Sequence, residues 1–187
     1  RRVIVNGGTS CYGTSARRVR ERGTRAHSTV CIGGSDSSEV WSGFRVGRRA
    51  HASLTELPSQ LSEFDSPTAV SIAGRHDGYR YLPGGPIHSR SWRLSRNQLR
   101  VLDHIFPLRQ PAQARYILHP DVSLSLNGDF KAQLEIPGGG GAAVLTASVP
   151  LRLERVDWSP EFGTRIETNA IAIDFDGDSV ALCLEWN

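Results

Sequence analysis

Long apolar segments and methionine are missing from this 187-residue sequence, and Lys131 is its only lysine. No apolar run approaches the roughly 18 residues that a membrane-spanning helix needs, and no secretory leader is recognisable. We therefore expect no membrane partner, while the cellular compartment stays open. Hydrophobic residues make up 39% of the chain and charged residues 22%, which is typical of a folded domain and argues against disorder.

Cysteine is also scarce. The three cysteines, Cys11, Cys31 and Cys183, are odd in number and form no CxxC pair, so the sequence predicts neither a disulfide framework nor a zinc knuckle. Cys31 lies in the apolar run Val30–Ile32, which favours a buried strand thiol. One disulfide stays open, and the sequence does not choose its pair.

Helical periodicity is weak, and Ser15–Glu21 is the one stretch that favours a short helix, with a loop as the alternative. Short runs rich in valine, isoleucine, leucine and aromatics recur between glycine, proline, asparagine and aspartate clusters, which predicts an all-β fold. So many strands predict a large antiparallel β-sandwich of two stacked sheets. The predicted strands are Arg2–Val5, Ser28–Ile32, Arg45–Leu54, Thr68–Gly74, Ile87–Leu94, Gln98–Ile105, Ala112–Leu118, Val122–Leu126, Phe130–Leu134, Ala143–Ser148, Leu151–Trp158, Thr164–Phe175 and Ser179–Glu185.

Several dipeptides predict turns between these strands. Asn127-Gly128 and Asp176-Gly177 are typical of tight hairpins, whose two central residues take positive φ. Asn97 with Gln98 predicts a further turn. The glycines of Gly138–Gly141 predict a loop tip, since neither the lysine nor the helix of a phosphate-binding loop follows them.

Positive charge is concentrated at the start of the chain. The first 49 residues contain ten arginines against three acidic residues. Such a region attracts anionic polymers, and both uronate polysaccharides and nucleic acids qualify. No nucleic-acid fold motif accompanies the charge, so no nucleic-acid partner is predicted. Arginines that are merely solvated on strand faces are the alternative.

Three segments near the start of the chain occur in an informative order. They are Val3–Thr9 followed by Tyr12, then Arg22–Val30, then Trp41–Arg49. Further on come His76–Tyr79, Ile87–Arg90, Leu99–Asp103, His119–Val122 and Ser159–Gly163. Together they resemble the C-terminal β-domain of the heparinase II/III-like family of polysaccharide lyases. The resemblance covers nearly all of residues 1–187, which we treat as one domain, and it implies that the family's N-terminal helical toroid lies outside this chain.

The resemblance implies a metal site at the substrate cleft. Thr24-Arg25-Ala26-His27 matches the segment whose histidine is a family ligand, and Asn6 stands where the family has a ligating aspartate. Another ligand, a histidine, would precede Arg1. An amide is a much weaker ligand than a carboxylate, so we expect no tightly bound metal in this fragment, with zinc reserved for the full-length protein. A purely structural Asn6, bonded to turn backbone, is the alternative.

The resemblance also implies β-elimination on an acidic polysaccharide, in a bacterial periplasmic or extracellular enzyme. Tyr12 becomes the candidate catalytic residue, although a loop aromatic is the alternative, and Arg25 and Trp41 become candidate substrate-binding residues. Because the family's base lies mainly on the helical toroid, the chain alone is expected to lack activity. A non-catalytic carbohydrate-binding or interface module is the alternative function.

Two further sets of residues have competing interpretations. Trp41, Phe44 and Trp92 are candidates for a sugar-stacking platform, but we expect at least two of them to pack in the core. His76, Asp77 and His88 resemble a metal cluster, but an architectural role is favoured for them.

Overall fold

The computed structural model describes residues 2–60, 69–138 and 140–187. In these residues it contains one α-helix, α1 (Ala16–Arg22), one 3-10 helix (Thr24–Ala26) and thirteen strands. The strands are β1 (Ile4–Val5), β2 (Val30–Ile32), β3 (Ala52–Gln60), β4 (Val70–His76), β5 (Ile87–Leu94), β6 (Gln98–Phe106), β7 (Ala112–Leu118), β8 (Ser123–Leu126), β9 (Lys131–Ile136), β10 (Gly141–Ala147), β11 (Leu151–Trp158), β12 (Ile166–Phe175) and β13 (Ser179–Trp186).

The strands form two antiparallel sheets, which confirms the predicted sandwich. The smaller sheet has five strands in the order β1-β7-β12-β11, with β2 also paired to β7. The larger sheet has eight strands in the order β3-β4-β5-β6-β13-β10-β9-β8. Every strand pair is antiparallel.

The core lies between the two sheets because alternate residues of each strand point inward. In β13, for example, Val180, Leu182 and Leu184 are buried and their neighbours are less so. All seven residues of β7 are buried. Its second face is covered too, since Ile117 packs with Val5 and Trp158 in a separate apolar cluster.

Two of the predicted turns lie between paired strands. β8 and β9 form a hairpin at Asn127-Gly128, where Gly128 has φ of 80°, but its loop covers residues 127–130 and is not the tight two-residue turn that was predicted. β5 and β6 pair across the turn that contains Asn97. Gly138 and Gly140 lie between the paired strands β9 and β10, and Gly141 is already the first residue of β10, while residue 139 lies outside the described residues.

The hairpin predicted at Asp176-Gly177 is wrong. β12 belongs to the five-stranded sheet and β13 to the eight-stranded sheet, so the chain crosses between sheets there. Gly177 is not among the glycines with positive φ, because a crossover does not require the mirror-image turn of a tight hairpin.

The strand predicted over Arg45–Leu54 is also wrong in its first half. Residues 45–51 fold back on the preceding loop, with Gly47 N–H donating to Glu39 O and Glu39 N–H to Arg48 O, each at 2.8 Å. The Arg48 guanidinium donates to Gly78 O at 2.7 Å and holds this loop in place. The strand β3 begins only at Ala52. Thr68 of the next predicted strand lies outside the described residues.

The predicted helix is present as α1, capped by Ser15, whose Oγ accepts from Arg18 N–H at 3.2 Å. None of the three cysteines forms a disulfide, and Cys31 is buried as expected. In the part of the chain that the structure describes, no helix is long and apolar enough to cross a membrane.

Candidate functional site

A cleft of about 570 Å³ opens between the larger sheet and the segment that precedes β2. One wall is the inward face of β3, β4 and β5, and the other consists of Asn6 and residues 27–29. The polar side chains at its surface are Asn6, His27, Ser28, Thr29, Ser53, Arg75, His76, His88 and Arg90. The structure thus brings Asn6 and His27 to one site, as the sequence resemblance implies.

His27 is positioned by short-range contacts in its own segment. It follows the 3-10 helix, and its N–H donates to Thr24 O at 3.1 Å. Gly7 N–H donates to Ala26 O at 2.9 Å, which ties the Asn6 loop to this segment. A Cβ at Gly7 would lie 2.6 Å from Ala26 O, so this close backbone approach requires glycine.

Ser28 fixes the cleft wall through all of its polar groups. Its N–H donates to Asn6 Oδ1 at 3.1 Å and its hydroxyl to Val5 O at 2.6 Å. The same hydroxyl oxygen accepts from Ile117 N–H at 3.0 Å, and the Ser28 carbonyl accepts from Arg90 at 2.7 Å. Ser28 therefore joins β1, β7 and β5, and it sets the position of the neighbouring His27.

Beneath the cleft, Asp103 is a fully buried carboxylate between the two sheets. Its Oδ1 accepts from His88 Nε2 and Arg90 Nε, both at 2.6 Å. Its Oδ2 accepts from a second guanidinium nitrogen of Arg90 at 2.9 Å and from the Tyr116 hydroxyl at 3.1 Å. Because Tyr116 lies on β7 and the other three on β5 and β6, this network links the two sheets.

The strand register explains why these side chains meet. His76 lies opposite His88, and Arg90 lies opposite Asp103, so all four project from the same face of β4, β5 and β6. Gly74 lies opposite Arg90 on β4 and contributes no side chain. The sheet therefore leaves room for a guanidinium at this point.

The hydrogen bonds determine the tautomers of both histidines. Asp103 is ionised and can only accept, so His88 Nε2 carries its proton and His88 Nδ1 is an acceptor. His76 Nε2, 2.9 Å away, must donate to it, and His76 Nδ1 then accepts from Gly78 N–H at 3.2 Å. All four ring nitrogens are occupied, so neither histidine is free to take a proton from a ligand in this arrangement.

Burial and neighbouring charges shift the pKa values around the cleft. Burial, helped by His88, lowers the pKa of His76 to about 4. Burial also lowers the pKa of His27, with Asp36 acting in the opposite direction. Burial alone would raise the pKa of Asp103, but hydrogen bonds from His88 and Arg90 outweigh it and lower the pKa. At neutral pH the cleft therefore presents the neutral imidazoles of His27 and His76 above the Asp103–Arg90 ion pair.

His27 differs from the other cleft histidines in being free. Its imidazole makes no hydrogen bond or ion pair with any residue in the ranges that the structure describes. A neutral, partly buried ring with both nitrogens uncommitted can ligate a metal, accept a proton or bond to a ligand hydroxyl.

The donors at this site do not by themselves make a zinc centre. Asn6 and His27 are two donors, and the Asn6 amide oxygen already accepts from Ser28. His76 and His88 use every ring nitrogen, and no group of three or more metal-binding side chains occurs among the described residues. A structural zinc normally takes four donors, and the described residues of this cleft offer at most two.

The other predicted site residues lie outside this cleft. Arg25 is half exposed, with its guanidinium 3.7 Å from Glu154, and it lines a separate depression near α1. Tyr12 lies in an exposed aromatic group with Phe44 and Phe162. Trp41 is exposed, and its ring N–H donates to Glu39 at 3.0 Å. The structure therefore does not bring these residues together with His27.

The expectation that at least two of Trp41, Phe44 and Trp92 pack in the core is wrong. Trp92 packs against the core, whereas Trp41 is 63% exposed and Phe44 is 70% exposed. Both exposed rings belong to the loop that folds back before β3, where no second layer covers them.

Sequence reasoning missed Asp103 and Tyr116 as members of the site. A signal for Asp103 was present, because strand alternation places it on the same inward face as Val101 and Ile105. A carboxylate at that position is buried, and a buried carboxylate is stable only when it is paired. Asp103 therefore pointed to a buried cation nearby. No signal in the sequence indicated that Tyr116 reaches it from the other sheet.

Comparison with known proteins supports a single assignment. The family profile of "Heparinase II/III-like, C-terminal" matches residues 1–187. The chain belongs to this family. No curated protein matches it in sequence.

Solved structures show the same fold. Heparan sulfate lyase HepC from Pedobacter heparinus superposes with a TM-score of 0.73 at 12% identity, covering 99% of this chain and 28% of that one. A heparinase III, the BT4657 gene product, superposes with a TM-score of 0.71 at 12% identity, covering 98% and 28%. The chain thus spans little more than a quarter of the length of these neighbours.

Proposed function

We propose that this chain is the β-sandwich domain of a lyase that cleaves an acidic, uronate-containing polysaccharide by β-elimination. The domain would form one wall of the substrate cleft. The observation that carries the proposal is the cleft itself, in which a neutral, unpaired His27 lies beside Asn6 in a chain of the heparinase II/III-like family. The two structural neighbours, a heparan sulfate lyase and a heparinase III, support an acidic polysaccharide as the substrate class.

The chemistry requires three groups. A base removes the proton next to the uronate carboxylate, a neutralising group lets negative charge develop on that carboxylate, and the leaving glycosidic oxygen takes a proton. Arg90 is bonded to Asp103 and Ser28, so it does not neutralise a substrate carboxylate. His76 and His88 are committed to each other and to Asp103.

His27 is the cleft histidine of this chain that is free to meet the substrate, by accepting or donating one hydrogen bond. Arg90, Asp103 and Ser28 are positioning residues that hold the His27 segment against the larger sheet. The base and the neutralising group would come from a helical domain of the parent protein, which is the partner that the family implies. Tyr12 and Arg25 contribute to catalysis only if that domain extends the cleft toward them.

Binding and turnover measured on the 187-residue chain test this proposal. We expect it to bind uronate polysaccharides, more weakly as salt rises, because exposed charges are screened over about 8–10 Å at physiological salt. Unsaturated uronate products, followed by ultraviolet absorbance, should not form. His27→Ala should weaken binding, while His104→Ala, a change on the exposed side of β6, should not. Robust turnover by the chain alone would show that the base lies within it and overturn the division of roles.

A non-catalytic carbohydrate-binding or interface module is the second candidate. It is favoured by Asn6, which replaces the carboxylate expected from the family, and by the fully bonded ring nitrogens of His76 and His88. His27→Ala in the full-length protein separates the two functions. A lyase loses turnover in this variant, whereas a module that only binds or docks leaves turnover unchanged.

A further inference from the structure

Outside the cleft, three aromatic side chains from three different loops form one exposed group. The ring of Tyr12 lies 6.0 Å from that of Phe44 and 5.1 Å from that of Phe162. The exposed fractions are 62% for Tyr12, 70% for Phe44 and 62% for Phe162. We call these three residues the aromatic patch. Contiguous exposed apolar surface of this kind marks binding sites more often than single exposed residues do.

The patch is held in place by the backbone beneath it. Gly163 N–H, next to Phe162, donates to Ser10 O at 2.8 Å, which ties the Phe162 loop to the Tyr12 loop. Gly43, next to Phe44, packs so closely on Gly13 that a Cβ at position 43 would lie 1.6 Å from the Gly13 carbonyl oxygen. The three rings are therefore presented by loops that are bonded or packed to one another, so little order has to be gained on binding.

The Phe44 loop is also fixed to α1. The guanidinium of Arg22 donates to the carbonyls of Ser42 and Arg45, the second at 3.3 Å. α1 therefore lies next to the patch, and its side chains determine the charge there.

That charge is positive. The guanidinium carbon of Arg18 lies 5.6 Å from the Tyr12 ring centre, and Arg17 and Arg20 of α1 are exposed. The one acid of the helix, Glu21, accepts from both the backbone N–H and the hydroxyl of Ser10, so it is committed to the loop.

On the Phe162 loop, the acidic residue is Glu161, which directly precedes Phe162. It accepts from the Thr164 hydroxyl at 3.2 Å. With Glu161 bonded within its own turn, Arg18 is left as the cation in contact with the aromatic patch, held there by its hydrogen bond to the Thr9 hydroxyl.

We propose that the aromatic patch, with the arginines of α1, is a second binding site for the acidic polysaccharide. Sugar rings stack through their C–H faces on Phe44 and Phe162, and a carboxylate or sulfate group of the same sugars pairs with Arg18. The next sugars of the polymer reach Arg17 and Arg20, which line the adjoining depression beside α1. This inference rests on the proposed function and deepens it, since it gives the polysaccharide a second contact site outside the cleft. Aromatic faces beside cations of one sign match a ring that has an apolar face and anionic substituents.

Binding of a fluorescent uronate hexasaccharide to the 187-residue chain tests the proposal. We expect Phe44→Ala and Phe162→Ala each to weaken the affinity roughly 3- to 10-fold, the range that one lost aromatic contact corresponds to. Phe44→Tyr keeps a stacking surface and should bind like the wild type. Phe130→Ala removes another exposed phenylalanine, on the β8–β9 turn, and should also leave the affinity unchanged. Near-ultraviolet circular dichroism checks that every variant is folded.

The outcomes separate this inference from the proposed function. If His27→Ala weakens binding but both patch variants bind like the wild type, the second site is wrong and the cleft stands. If the wild type binds no uronate hexasaccharide, both proposals fail. If sedimentation shows a dimer that Phe44→Ala converts to a monomer, the occupant of the patch is a second copy and the proposed site is overturned. Equal affinity for a neutral hexasaccharide of the same length would show that the arginine charge does not contribute to binding.

Discussion

Replacing Asp103 by asparagine is expected to destabilise the domain strongly although the two side chains have nearly the same shape. Asp103 is fully buried and accepts four hydrogen bonds, two on each oxygen. An asparagine has one oxygen and one NH₂ group, so in either orientation the NH₂ faces an N–H donor of Arg90. The Arg90 side chain is only 10% exposed, so its guanidinium is left buried without a counter-charge.

Breaking a buried ion pair by removing one partner costs about 3–5 kcal/mol. A domain is usually stable by only about 5–15 kcal/mol, so this loss is roughly a fifth of the total or more. For a chain of this length each kcal/mol corresponds to roughly 2–4 °C, which predicts a fall in Tm of about 6–20 °C.

Urea unfolding followed by tryptophan fluorescence measures the loss as a shift of the midpoint at an unchanged slope. Asp174→Asn is the matched control. Asp174 also accepts from an arginine and an amide, at 2.9 and 2.7 Å, but its side chain is 57% exposed. Exposed ion pairs contribute about 0–1 kcal/mol, so Asp174→Asn should change the free energy of unfolding only slightly.

A double variant, Asp103→Leu with Arg90→Met, separates the lost charge from lost packing. Removing both charges should recover part of the stability lost in Asp103→Asn, because no unpaired ion is left buried. If Asp103→Asn costs no more than Asp174→Asn, the buried ion pair does not hold the two sheets together and the reasoning is refuted.

Two further predictions concern acidity and metal binding. Because burial lowers the pKa of His76 from 6.5 to about 4 and also lowers that of His27, the unfolded chain binds protons more readily in this range. The free energy of unfolding should therefore fall as the pH drops from about 6.5 to 4, and His76→Gln should make that fall shallower. A stability that stays flat across this range would contradict the buried neutral histidines. For the metal, elemental analysis of chelator-free protein should show no stoichiometric zinc, and Asn6→Asp should raise zinc affinity measured by titration. Stoichiometric zinc in the wild-type chain would mean that other side chains complete the site.

Local patterns were sufficient to predict most of the fold. Short runs rich in aliphatic and aromatic residues, bounded by turn residues, located β5, β7 and β11 at their observed bounds, since these signals are local. Asn127-Gly128 marked a hairpin for the same local reason. The errors at Arg45–Leu54 and Asp176-Gly177 have a common cause, because whether a chain continues, folds back or crosses between sheets depends on which strands pair.

The candidate site divides in the same way. The sequence by itself determined an antiparallel β-sandwich, because strand patterns are properties of neighbouring residues, and its resemblance to the heparinase II/III-like family led to His27 and Asn6. Only the tertiary structure decided that Arg25, Tyr12 and Trp41 lie outside the cleft. It also decided that Asp103 receives Tyr116 from the opposite sheet, which leaves His27 as the cleft histidine free to meet a ligand. A hydrogen bond between residues on different sheets depends on how the sheets stack, and no local pattern specifies that.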